Sequence, residues 1–268
     1  MKLSFITPGL LPSLDRLMKP TTGRGMLGGL HKMEMPTTVG VVELSNGSVV
    51  LVDCGLSAAE IARPASLGLL RGPLFHVSGG KRCSAVDQLR ARAIDPSRVV
   101  AIVATHLHLD HIGAFVDFPN AEVIAPAAEF ASARKLGSRG GYVHVDQILQ
   151  SGRARPILLD SGERHGFTGY KELFDGEVLL MDTRGHTAGS ISALVVTPEA
   201  SGLMIGDAAY SRQEYRTGTF SPLMGWLGFQ KDWIRATWGQ IVAFERDNPT
   251  IPVVPSHCCD AFAAVGGH

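Results

Sequence analysis

The chain has 268 residues, 45% of them apolar, with 25 basic and 25 acidic side chains and a formal net charge of zero. That balance argues against a polybasic surface for nucleic acid or an anionic membrane, and for a small, weakly charged substrate. The apolar content can fill a substantial core, expected as one domain over residues 1–268, and no apolar run reaches the length that spans a bilayer.

The first residues, MKLSFITPGLLPSL, are apolar but interrupted by Pro8, Gly9 and Pro12 and carry no small-residue cleavage signal. A secretory leader is therefore not expected, and the cytoplasm is the expected compartment. Residues 8–36 read as irregular. Their Gly-rich stretch TTGRGMLGGLHK lacks the Gly-Lys-Ser/Thr ending of a phosphate loop and is expected to form a mobile flap. Runs 38–43 and 48–53 flank SNGS, the signature of a hairpin. Residues 55–80 are again irregular, VVAIVAT (99–105) is apolar on both faces like an interior strand, and 135–169 is a third irregular stretch. EVLLMD (177–182), ISALVVT (191–197), GLMIG (202–206) and IPVVP (251–255) read as further strands. Before the last of these, Ile234, Trp238, Ile241 and Val242 lie on one helical stripe that Asn248-Pro249 ends. The four cysteines, Cys54, Cys83, Cys258 and Cys259, form no C-x-x-C pair and read as reduced structural thiols.

Chemistry concentrates in THLHLDHIG, where His106, His108, Asp110 and His111 fall within six positions. Offsets of 0, 2, 4 and 5 cannot share one face of a strand or a helix. They converge if the chain leaves the strand, turns, and starts a helix near Ile112-Gly113. Three more metal-competent residues follow strands of their own: His186 in TRGHTAGS, Asp207 in IGDAAY and His257 in VPSH. Neutral imidazole and carboxylate suit Zn(II) first, with iron, cobalt and manganese as alternatives. Seven candidate ligands, one a carboxylate able to bridge, fit two divalent ions around a shared hydroxide. Asp53, ending the strand in VLVDCG, either supports a ligand histidine from behind or only closes its strand. His31, His76, His144, His165 and His268 read as structural, and Cys258 as a packing residue.

Taken in order, VLVDCG, THLHLDHIG, TRGHTAGS, IGDAAY and VPSH resemble the metallo-β-lactamase superfamily over nearly the whole chain. The resemblance implies an α/β fold, an αββα sandwich with metals at one edge. It also implies one metal on His106, His108 and His186, a second on Asp110, His111 and His257, and Asp207 bridging them. Tyr210, three residues after Asp207, is arranged as in the N-acyl homoserine lactonases, the quorum-quenching branch. The run GFQKDWIRATWGQIVAFERDNPTIPVVPSH resembles that branch as well.

The implied reaction is hydrolytic opening of a lactone. The bridging hydroxide attacks, Tyr210 steadies the developing oxyanion, and Asp110 or Asp207 returns a proton to the leaving alkoxide. Met26, Leu27, Leu30 and Met33 of the flap are expected to line an acyl pocket. The alternatives on the same fold are a thioesterase of the glyoxalase II kind or another ester or phosphoester hydrolase. A non-catalytic metal-binding member is the rival from a different class, and such members usually lose ligands. A homodimer is left open.

Overall fold

The computed structural model describes every residue except 19, 21–31, 68–82, 227–229 and 267–268. Its strands, in chain order, are β1 (Lys2–Ile6), β2 (Leu10–Leu14), β3 (Lys32–Pro36), β4 (Val39–Glu43), β5 (Val49–Val52), β6 (Val99–Val103) and β7 (Glu122–Pro126). There follow β8 (Ala154–Ile157), β9 (Ser161–Arg164), β10 (Phe167–Leu173), β11 (Val178–Asp182), β12 (Ile191–Val196), β13 (Ser201–Gly206) and β14 (Val253–Pro255). Two six-stranded sheets result, ordered β1-β4-β5-β6-β7-β8 and β14-β13-β12-β11-β10-β9, with β2 and β3 paired apart from both.

The apolar runs explain the layering. In β5, Val50 and Val52 face the second sheet while Val49 and Leu51 face the other way, and all four are buried. In β11, Val178 and Leu180 meet the first sheet, whereas Leu179 and Met181 meet the helix Lys231–Asp247 through Ile234, Trp238, Ile241 and Phe244. A strand buried on both faces has no polar side to show, hence the unbroken hydrophobic spelling. The outer face of the first sheet is covered by Leu89, Phe115, Phe118, Phe130 and Ile148, largely from helices Ala85–Ala91, Ala127–Leu136 and Val145–Gln150. The order is helix, sheet, sheet, helix: the αββα sandwich.

Topology then sets where loops emerge. β5 runs parallel to β6, so Asp53 and His106 leave the first sheet at the same end. β11 and β13 are each antiparallel to β12, and β14 is parallel to β13. The loops carrying His186, Asp207 and His257 therefore leave the second sheet at a common end. The expected hairpin around SNGS is present as β4–β5.

The sequence reading differs from the structure in several places, the helix Ala58–Ala62 and the strands β1 and β7 among them. The helix after β6 begins at Leu109, not near Gly113, with His108 as its N-cap. Val242 is exposed, and Thr237 and Phe244 occupy the buried stripe with Ile234, Trp238 and Ile241. Parts of the stretches expected to be irregular are ordered: Leu10–Leu14 pairs with Lys32–Pro36, and residues 145–169 include a helix, β8, β9 and the start of β10. Pro12 in β2 and the exposed Arg155 in the edge strand β8 illustrate the cause, since short strands with an exposed or edge-facing side lack the uniform apolar spelling that betrays interior strands.

Candidate metal centre

The loop after β6 is shaped by its early helix. His106 and His108 precede it, while Asp110 and His111 lie in its single turn, so four side chains with unhelpful spacing turn toward one another. The ring centroids of His106 lie 4.5 Å from His108 and 4.1 Å from His111. The second sheet brings its residues to the same place, with the His186 ring 4.7 Å from His106 and 5.0 Å from His108. His257 Nε2 is 3.4 Å from Asp110 Oδ2. Asp207 sits at the middle. Its Oδ2 faces His186 Nε2 at 3.5 Å and His106 Nε2 at 3.9 Å, while its Oδ1 faces His111 Nε2 and His257 Nε2, each at 3.3 Å.

Three donor groups follow, each with ligand atoms within 4.8 Å of one another: His106, His108 and His186; His106, His111 and Asp207; Asp110, His111 and His257. The close approach has a backbone requirement. Gly206 takes a φ of +53°, and a Cβ there would come within 2.5 Å of Thr105 Oγ1, so only glycine lets the end of β13 approach the end of β6.

Behind the donors, hydrogen bonds fix which nitrogen looks inward. His111 Nδ1 lies 2.9 Å from Asp53 Oδ2, which turns Nε2 toward Asp207. Asp53 itself holds a left-handed φ of 59° and accepts from Thr105 N–H at 2.7 Å and Thr105 O–H at 2.9 Å. His257 Nδ1 lies 2.9 Å from the Pro36 carbonyl, with the same consequence for its Nε2.

The residues present suit divalent cations. His106 Nε2 is buried without a hydrogen-bond partner among the described residues, and His111 Nε2 and Asp207 Oδ1 face each other at 3.3 Å without hydrogen-bond geometry, an arrangement costly for polar atoms unless an ion satisfies them. The charges agree. Burial, then its neighbouring imidazoles, hold His106 well below the ordinary histidine range, and burial brings His186 down to about 3. Burial opposes a charge on His257 too, yet Asp207 and Asp110 outweigh it and push that ring up to about 10. Without a metal, protons on His257 and His111 supply the positive charge that the two carboxylates demand.

Tyr210 covers the centre. It is buried, its ring is 6.0 Å from His186 and 5.9 Å from His257, and its N–H donates to Glu214 Oε2 at 2.5 Å. Burial, then Asp207 and Asp110, raise its hydroxyl well above the usual phenol range, so it stays a protonated donor.

The family model described as Metallo-beta-lactamase superfamily matches residues 33–257. The chain belongs to the metallo-β-lactamase superfamily. Membership implies divalent-metal binding, typically of zinc. One relative is the N-acyl homoserine lactonase AttM of Rhizobium radiobacter, 33% identical over 181 residues, 66% of this chain. The chain spans 65% of that relative's length. A probable metallo-hydrolase of Mycobacterium tuberculosis, Rv2300c, is 28% identical over 83% of this chain and 74% of its own. Among solved structures, an N-acyl homoserine lactone hydrolase with N-hexanoyl-L-homoserine at its catalytic metal centre superposes with a TM-score of 0.75. That match has 19% identity and covers 98% of this chain and 95% of the other, a likeness of fold.

Within this superfamily fold, the sequence reading passed over residues that hold the loops. Trp238 Nε1 donates to the Ala208 carbonyl at 2.7 Å, and Thr237 O–H to the Arg184 carbonyl at 2.9 Å, so the helix Lys231–Asp247 braces the Asp207 and His186 loops. Glu129 and Tyr142 also lie under the site. The only signal for Glu129 was an acid inside the apolar run EVIAPAAEFASA. Of the flap residues, Met33 packs against the cluster that contains Leu109 and Tyr210, while Met26, Leu27 and Leu30 lie outside the described residues, as do His31, His76 and His268. His144 binds Glu60 through Nε2 at 2.7 Å, His165 meets Phe244 edge-on, and Cys258 packs between the sheets. No helix among the described residues is long and apolar enough to cross a membrane.

Proposed function

We propose that this protein is a dinuclear metal-dependent hydrolase that opens lactone rings, with N-acyl homoserine lactones as its substrate class. The observation that carries the reading is Asp207, a single buried carboxylate that offers one oxygen to each of two histidine-containing triads. The AttM lactonase and the lactone hydrolase fold match support the substrate class. His106, His108 and His186 would hold one ion, Asp110, His111 and His257 the other, and Asp207 both. When bound, such a pair of ions acidifies water toward neutral pH and polarises a carbonyl.

This chain's own residues do the rest. Tyr210 sits over both triads with its phenol protonated, placed to donate to the oxygen on which negative charge develops as the ring carbonyl is attacked. The leaving alkoxide needs a proton. Burial opposes a charge on Asp110, but His111 and His257 outweigh it. Ionised, and 13% exposed at its side chain against 6% for Asp207, Asp110 is the better placed to take the proton freed from the attacking water and pass it to the alkoxide. Met33 and its neighbours give an apolar surround for an acyl chain.

The zinc-loaded protein should be assayed against acyl homoserine lactones, thioesters, β-lactams and phosphodiesters. Lactones are expected to give the highest kcat/KM. A higher value for thioesters or phosphodiesters would overturn the substrate assignment.

A further inference from the structure

The two halves of the centre are held differently. His111 and His257 are each fixed by a bond to the ring itself, from Asp53 and from the Pro36 carbonyl. In the half made of His106, His108 and His186, the His106 ring also has a partner, Thr105 Oγ1 at 3.2 Å from Nδ1, and a further support lies beneath the loops. Glu129, fully buried in the first turn of the helix Ala127–Leu136, accepts from Leu107 N–H at 3.0 Å through Oε1. Its Oε2 accepts from Thr187 O–H at 2.7 Å and Gly189 N–H at 3.2 Å, and Tyr142 also bonds to the carboxylate.

Each donor adjoins a candidate ligand. Leu107 lies between His106 and His108, Thr187 follows His186, and the Tyr142 ring lies 5.0 Å from that of His108. His108 is also tied to the Gly140 backbone, two residues before Tyr142. At Gly141, a Cβ would meet the His108 ring at 3.0 Å, so the turn packs directly beneath that imidazole. At Gly189, a Cβ would come within 2.4 Å of the Glu129 backbone nitrogen, so the His186 loop is seated on the helix start itself.

We infer that Glu129 is a positioning residue for one metal only: its carboxylate gathers three loops and so sets the separation of His106, His108 and His186, while the Asp110, His111 and His257 half is built without it. This rests on the ligand grouping given under Proposed function. The chemistry requires an anion. Every partner of Glu129 is a donor, and a carboxylate offers only acceptors, whereas an amide would turn an NH₂ against an N–H or O–H. Glu129→Gln therefore breaks part of the clamp at constant volume, and Thr187→Val removes one donor while keeping shape.

The test is zinc content and affinity, by elemental analysis and competitive titration, on wild type, Glu129→Gln and Thr187→Val, with melting curves alongside. Wild type is expected to hold two ions. Glu129→Gln should bind one of them about 10–100-fold more weakly, the range for partners behind metal ligands, and Thr187→Val should weaken the same ion less. Adding His186→Ala to Glu129→Gln should weaken only that same ion, and adding His257→Ala should weaken the other. A cobalt-loaded Glu129→Gln protein should lose part of its visible ligand-field spectrum, a readout that altered stability alone does not move. Two ions at wild-type affinity in Glu129→Gln, or equal weakening of both, would overturn the inference. Should Glu129→Gln fail to fold, Thr187→Val decides by the same criteria. A wild-type chain holding a single ion would instead refute the ligand grouping beneath it.

Discussion

The two sheets contribute to the centre in opposite styles. The first sheet sends His106, His108, Asp110 and His111 from one loop, closely spaced and backed by Asp53 from the neighbouring strand end. The second sends His186, Asp207 and His257 from three loops scattered over 72 positions of sequence, one donor each. Neither sheet completes a triad: His106 and His108 need His186, and Asp110 and His111 need His257. An ion held in either triad would thus cross-link the sheets, and Asp207, lying between the triads, would reach both. A metal centre at the open edge of a sandwich joins its layers where apolar packing ends.

The largest effect is expected at Asp207, which lies between the two triads. Asp207→Ala should lower the affinity for both ions and take lactone turnover to background; metal analysis showing two tightly held ions would refute its place between the triads. Next in size is the cross-link itself. Chelation should destabilise the protein by about 4 kcal/mol relative to free zinc at a thousand times Kd, a fall in Tm on the order of 10 °C. An unchanged Tm would mean the ions do not tie the layers. Tyr210→Phe should then cut kcat about a hundredfold, roughly 3 kcal/mol of lost oxyanion stabilisation, at unchanged metal content. Equal turnover would remove Tyr210 from the reaction.

The smallest effect is on protons. His257 is pushed up to about 10 in the metal-free chain, so at pH 7 its ring carries a proton that a metal must displace. The sign follows: affinity for the ion on His257 should rise with pH, about tenfold per unit for one displaced proton, and level off above about 10. Zinc titrations in buffers of different ionisation enthalpy would measure that release. Proton-free binding at pH 7 would contradict it.

Much of this was legible in the sequence because its causes are local. Interior strands such as Val99–Val103 are apolar on both faces, and the residue at each strand end marks the edge where chemistry gathers. The position of the helix after β6 was misjudged by about one turn, since His108 caps it without a side-chain bond and carries no capping signature. Glu129 and Tyr142 were out of reach for another reason. Their role comes from contacts to residues 22, 45 and 58 positions away, distances over which spacing carries no signal. The pairing of Leu10–Leu14 with Lys32–Pro36 was hidden likewise, because Pro12 and a Gly-rich interval mask a strand whose ladder lies outside both main sheets.

The most direct test is crystallographic: an anomalous difference map from crystals of the zinc-loaded protein, recorded at the zinc edge. Two peaks are expected, one among His106, His108 and His186 and the other among Asp110, His111 and His257, with Asp207 reaching both. A single peak, or zinc bound away from Asp207, would contradict this arrangement.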